Sequence, residues 1–143
     1  MVESVFLDTN VVLDHLADRQ PFAECAHRLF ALAETGQLKL NVSSLSFCNL
    51  YYLLRKLSGH EQALTLLSRL EQLVEITTVG KLQIHEALSS GLRDFEDAVQ
   101  IFSAEENGNI DIIVTRNKRD FSTRTIPVQS PEEYLADFER RAP

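Results

Sequence analysis

Val5-Phe6-Leu7-Asp8-Thr9-Asn10-Val11-Val12-Leu13 is the stretch on which the reading of the fold turns. Three apolar residues stop at three polar ones, and a second apolar run, continued by Leu16, follows at once. A short unbroken apolar run ended by a polar turn is the pattern of a strand covered on both faces. Thr9 or Asn10 is then the expected N-cap of the helix that follows. The pattern returns at Asp111-Ile112-Ile113-Val114-Thr115, which runs into Arg116-Asn117-Lys118-Arg119-Asp120.

Between and beyond these two strands, helical and strand periods alternate. Phe22, Ala26, Leu29, Phe30 and Ala33 recur at helical spacing up to Gly36. Leu40 and Val42 alternate with Lys39 and Asn41 as a strand, and a short strand lies around Val74 and Ile76. Residues 45–57 read as a largely buried helix and 60–73 as its antiparallel partner, separated by Ser58-Gly59. Residues 84–92 and 95–106 read as helices, and 126–128 as a last short strand. Ser130-Pro131-Glu132-Glu133 opens a final helix, with Ser as N-cap, Pro at the first position and acids in the first turn. Alternation of this kind predicts an α/β sandwich on a mainly parallel sheet. One domain over residues 1–138 is expected, with a polar tail at 139–143.

Composition narrows the function. The 143 residues are one domain's worth, and 44% hydrophobic with 24% charged residues suits a packed core rather than disorder. Lys and Arg number 14 and Asp and Glu 21, a net charge of −7, so attraction of the whole molecule to nucleic acid or anionic membrane is not expected. Nucleic acid could be met only through a local basic patch or through metal ions. Cys25 and Cys48 lie in apolar helical patterns and read as buried thiols of a reducing, cytoplasmic compartment. No apolar run is long enough to span a membrane, and Met1-Val2-Glu3-Ser4 lacks the basic start of a signal peptide.

Open parallel sheets bind ligands beyond the carboxyl ends of their strands. Asp8 follows the first strand, Asn117 and Asp120 follow the strand at 111–115, and Asp94, Glu96 and Asp97 surround the start of the helix at 95–106. If the two apolar strands are neighbours, these oxygens converge. Hard divalent cations such as Mg²⁺ or Mn²⁺ take such ligands, polarise a phosphate and activate water. Structural readings compete: Asp94 or Glu96 as helix caps, Asp120 as a turn residue, Asp111 as a strand opener, Asp14 and Asp18 on a solvated helix face. Arg116, Lys118, Arg119 and Arg124 form a basic rim suited to a phosphate backbone, or else a solvated loop. The four histidines show no ligand spacing. Tyr51 and Tyr52 read as core and interface residues.

Four segments in order resemble PIN domains: Val5 to Asp14 with its D-T-N, Asp94-Phe95-Glu96-Asp97-Ala98-Val99-Gln100, Ile113 to Phe121 with its T-R-N-x-x-D-F, and Ser130 to Leu135. The resemblance spans nearly the whole chain. It implies a three-layer α/β/α fold with strand order 3-2-1-4-5 and a Mg²⁺- or Mn²⁺-dependent endoribonuclease of the VapC type, the toxin half of a type II toxin–antitoxin pair. It places Asp8, Asp94 and Asp97 as catalytic residues and metal ligands, with Asn117 and Asp120 as further ligands. Asn10, Asn49 and Thr115 support them, and Arg116, Lys118 and Arg119 meet RNA. A homodimer and a cognate antitoxin are implied as partners. Two positions depart from the family pattern: Asn49 stands where a Glu is usual, and Asn117 where many members have Asp. With both amides, a degenerate PIN domain that binds RNA or protein without cleaving is the alternative. An aspartyl-phosphate phosphatase would need a second Asp two residues after Asp8, where this chain has Asn10.

Overall fold

The computed structural model describes residues 2–121, 123 and 125–142. Its five strands are β1 (Glu3–Leu7), β2 (Leu38–Ser43), β3 (Glu75–Thr77), β4 (Ile112–Val114) and β5 (Val128–Gln129). Its helices are α1 (Thr9–Leu16), α2 (Ala23–Glu34), α3 (Ser44–Ser58), α4 (His60–Leu73), α5 (Lys81–Ser89), α6 (Phe95–Glu106) and α7 (Pro131–Arg141). All strand pairs are parallel, in the order β3-β2-β1-β4-β5. Phe6 lies beside Ile113 and Leu7 beside Val114, so the two apolar strands are neighbours.

The strand period of two explains the layers. Val5, Leu7, Ile112 and Val114 point to one face, where they meet apolar residues of α1, α2, α3, α4 and α7. Phe6 and Ile113 point to the other, against Ile101 and Ala104 of α6 and Phe121. A second small cluster joins Ala87 of α5 to Ala98 and Val99 of α6. Both sheet faces are therefore covered, which is why the strands need no polar side. None of the described helices is long and apolar enough to cross a membrane.

Local chemistry sets the helix ends. The final helix has the expected capping box: the Glu133 N–H donates to Ser130 Oγ at 3.1 Å, and the Ser130 N–H donates to Glu133 Oε1 at 2.9 Å. Several sequence expectations are corrected. The N-cap of α1 is Asp8, not Thr9 or Asn10, and its carboxylate does not cap the helix. Asn41 is buried rather than outward, because its Nδ2 donates to the Val5 carbonyl at 3.2 Å. Of α3 only Ser46, Leu50 and Leu54 are buried, so the helix is far less covered than its apolar content predicts. Cys48 is exposed and Cys25 half-buried. The fifth helix starts at Lys81 instead of 84, and β5 is shifted to Val128–Gln129. Residues 139–141, read from sequence as tail, continue α7.

A buried polar network ties the carboxyl end of the sheet together. Gln100 of α6 donates through Nε2 to Thr9 Oγ1 (3.1 Å) and Ser46 Oγ (2.8 Å), and its Oε1 accepts from Ser43 Oγ (2.7 Å). The Thr9 and Ser46 hydroxyls share a further hydrogen bond, and Ser43 Oγ also accepts from the Ser46 N–H as the cap of α3. Every member is buried. Each group left unpaired at such depth costs about 1–3 kcal/mol. Gln100→Ala takes one hydrogen bond from each of three buried hydroxyls and opens a cavity, so it should destabilise the fold by about 2–4 kcal/mol in urea unfolding. A loss under about 0.5 kcal/mol, the size usual for a surface change, would show that the network does not brace the fold.

Candidate active site

The site grows from the point where the chain reverses its direction of winding. From β1 the chain moves outward through β2 and β3, then crosses back to place β4 on the other side of β1. Loops leaving β1 and β4 diverge around a crevice at such a switch point. Asp8 lies at this point, its N–H donating to the Val114 carbonyl at 3.2 Å.

Asp8 is 5% exposed. Its Oδ2 accepts from Thr115 Oγ1 at 2.9 Å, and the same hydroxyl oxygen accepts from the Asn117 N–H at 3.0 Å. Thr115 thus fixes the carboxylate and the loop after β4 together. Asn117 Nδ2 donates to Asp120 Oδ2 at 2.7 Å and reaches Asp97 Oδ2 at 3.5 Å. Asp8, Thr115, Asn117, Asp120 and Asp97 form one connected set, drawn from the ends of two strands and the first turn of α6. The Asp97 N–H donates to Asp94 Oδ1 at 2.9 Å, so Asp94 caps α6, the structural role the sequence allowed for it.

The charges in this set oppose one another. Burial pushes the Asp97 carboxyl up to about 7, and the charges of Asp8, Asp94, Asp120 and Glu96 add to the shift. Burial also raises Asp8, with Glu96 contributing, against the Thr115 hydrogen bond, a Thr9 backbone hydrogen bond and the Arg116 charge, which lower it. Glu96 is raised by burial and by Asp94. None of Asp8, Asp94, Glu96, Asp97 and Asp120 has an ion-pair partner among the described residues. Crowded carboxylates without a protein cation are chemically suited to a hard divalent ion. Among the described residues no three His, Cys, Asp or Glu side chains close around a common point.

Of the other sequence-predicted residues, several have partners outside this connected set. The Asn10 side chain accepts from Arg19 and has no hydrogen bond to the carboxylate set. Asn49 Nδ2 is buried with no hydrogen-bond partner among the described residues. Arg116 is held by Asp14, at 2.8 Å from Nε and 3.2 Å from Nη2, and lies over the Phe22 ring. Lys118 pairs with Glu133 at 2.9 Å. Arg119 is exposed and unpaired among the described residues, and Arg124 lies outside them. Asp14, read from sequence as solvated, is instead 1% exposed, because Arg19 and Arg116 both pair with it. Sequence reasoning missed this buried anchor and Gln100. The available signal was a polar residue at an apolar phase: Gln100 between Val99 and Ile101, and Asp14 directly after Val11-Val12-Leu13.

A PIN domain family model matches residues 4–119. A search of curated proteins finds no match. Among solved structures, the fold is similar to VapC20 of Mycobacterium tuberculosis, a sarcin-ricin loop cleaving toxin, with 21% identity over 76% of this chain and 86% of that one and a TM-score of 0.61. It is similar to a chain of DNA-bound VapBC from Salmonella typhimurium, with 17% identity over 92% and 99% and a TM-score of 0.65. A toxin–antitoxin complex from Klebsiella pneumoniae matches at 20% identity over 89% and 97%, with a TM-score of 0.64.

The raised Asp97 has a sign that can be checked without substrate. Between its unfolded value near 4 and its folded value of about 7, the folded state holds the extra proton. Stability of the metal-free protein should therefore fall as pH rises through that window. Asp97→Asn removes the effect. With a discount for partial solvation of the group, the variant should exceed the parent by about 1–2 kcal/mol at pH 8 and match it near pH 4. Urea melts in EDTA at both pH values measure this, and a variant less stable at pH 8 would contradict the crowding.

Proposed function

The chain belongs to the PIN domain family, and we propose that it is a metal-dependent endoribonuclease acting as the toxin of a type II toxin–antitoxin pair. One observation carries the reading: Asp8, Asp97 and Asp120, linked through Thr115 and Asn117, gather at the strand switch point with no ion-pair partner among the described residues. Asp8, Asp97, Asp94, Asp120 and Asn117 are the residues that would hold Mg²⁺ or Mn²⁺. When bound, such an ion polarises the scissile phosphate and lowers the pKa of water for in-line attack.

The protein's own contribution is placement. Thr115 holds the Asp8 carboxylate by a donated hydrogen bond, leaving its other oxygen unbonded among the described side chains. Asn117 bridges Asp97 and Asp120, so the loop after β4 and the start of α6 keep a common spacing. Arg116, Lys118 and Arg119 face the RNA backbone. The VapC and VapBC likenesses support both the nuclease chemistry and an antitoxin partner. A cytoplasmic setting accords with RNA as substrate. The amides at Asn49 and Asn117 weaken the ligand field relative to carboxylates, which keeps binding without cleavage as the competing outcome.

RNA cleavage should require Mg²⁺ or Mn²⁺ and stop in EDTA, and Asp8→Asn and Asp97→Asn should each lose at least about 100-fold in turnover while remaining folded. Cleavage undiminished in EDTA would remove the metal mechanism. RNA binding with no cleavage under any metal would make the chain a degenerate member.

We also propose a symmetric homodimer through α3 and α4. The motive is the apolar surface that α3 leaves uncovered, with Tyr52 at 61%, Leu53 at 39% and Leu57 at 64% exposure. Multi-angle light scattering should give twice the chain mass, and Leu57→Glu should shift it to monomer. A parent that is monomeric at high micromolar concentration would refute the dimer.

A further inference from the structure

Asp14 differs from every carboxylate of the candidate site in having too many cations rather than too few. Arg19 reaches its Oδ1 from Nε at 3.0 Å and from Nη2 at 2.8 Å. Arg116 takes both oxygens, Nε to Oδ2 at 2.8 Å and Nη2 to Oδ1 at 3.2 Å. Two guanidinium groups on one carboxylate leave a positive charge uncompensated. The exposures run in the matching sense: the Asp14 side chain is 2% exposed, while those of Arg19 and Arg116 are 37% and 28% exposed. The anion is sealed in and the cations face water.

Both guanidinium groups are also held rigidly. Arg116 lies 3.7 Å over the centroid of the Phe22 ring, a stacked arrangement favourable to a cation. Arg19 Nη2 additionally donates to the Asn10 carbonyl and side-chain oxygens at 3.4 and 3.2 Å. Among the described residues, the Nη1 groups of both arginines have no acceptor. Asn10 is two residues from Asp8, and the Arg116 charge is felt at the Asp8 carboxylate, so this clamp borders the acidic cluster. On a chain of net charge −7, a preformed cationic fork beside the acidic site matches a phosphate.

We infer that Arg19 and Arg116, clamped on the buried Asp14, form a phosphate subsite that holds an RNA backbone phosphate flanking the scissile one. This deepens the nuclease reading and rests on it. Asp14 is then a positioning residue, which presents the two guanidinium groups without touching RNA. The clamp explains why a buried acid sits in the first helix at all.

The test uses the full chain and a short fluorescein-labelled single-stranded RNA, titrated in EDTA so that it stays intact. Arg19→Gln leaves Asp14 paired with Arg116, and Arg116→Gln leaves it paired with Arg19, so each keeps the buried carboxylate compensated. Each should bind about tenfold more weakly, as for one lost charge-assisted contact. The slope of log K against log salt should become shallower by about 0.7, as for one phosphate of a single strand. Arg69→Gln, the same charge change on α4, should bind as the parent does. With Mg²⁺ present, Arg19→Gln should raise KM on the longer RNA yet cleave a dinucleotide, which has no flanking phosphate, at the parent rate. Unchanged affinity in both variants overturns the subsite. So does an equal loss for Arg69→Gln, or an equal loss on dinucleotide and longer RNA, which would assign the clamp to structure alone. A parent that cleaves nothing refutes the nuclease reading, and the EDTA titration still decides the subsite.

Discussion

The hydrogen bonds of Gln100 hold together the part of the molecule on which everything else is built. The side chain crosses from α6 to Thr9 at the start of α1 and to Ser43 and Ser46 at the β2–α3 junction. Those three elements come from distant parts of the chain, and apolar packing alone would let them slide. Hydrogen bonds are directional, and at this depth an unmade one is expensive. The network therefore fixes where α6 begins relative to the end of β1. That relation in turn sets the distance between Asp97 and Asp8.

On this frame the molecule separates its charges by function. Acidic groups at the switch point have no ion-pair partner among the described residues, and burial together with the neighbouring charges pushes Asp97 up to about 7. One residue type used a few positions later has the opposite treatment: Asp14 is sealed between two arginines. An acid given its cation is a structural anchor, and acids denied one are an invitation to a divalent ion. Net charge conceals both, because it sums over them.

Much of the fold was legible in the sequence. The strand character of Val5–Leu7 and Ile112–Val114 follows from short apolar runs ended by polar residues, and both-face burial follows from the absence of a polar phase. The bounds of α4 and α6 match their apolar period and the glycine and asparagine breaks that flank them. The candidate carboxylates could be named because each lies just past a strand or at a helix start. What failed was the translation of apolar content into burial. Residues 45–57 contain enough apolar groups for a fully covered helix, yet of α3 only Ser46, Leu50 and Leu54 are buried, while Tyr52, Leu53 and Leu57 stay exposed.

The sequence by itself determined the alternation of strands and helices, the parallel sheet that this alternation requires, and the positions at which acids meet strand ends. Those properties are local: they depend on period, caps and breaks within a few residues. Only the tertiary structure decided which acids share a space and which do not. Asp14 and Asp8 lie six residues apart in the same motif, but one turns inward to arginines at positions 19 and 116 and the other to Thr115. Arg116, next to Asn117 in the loop after β4, is held by Asp14, and Asn10, two residues after Asp8, accepts from Arg19. Partners separated by about a hundred residues leave no trace in a local period, because what selects them is the strand order that brings β4 beside β1.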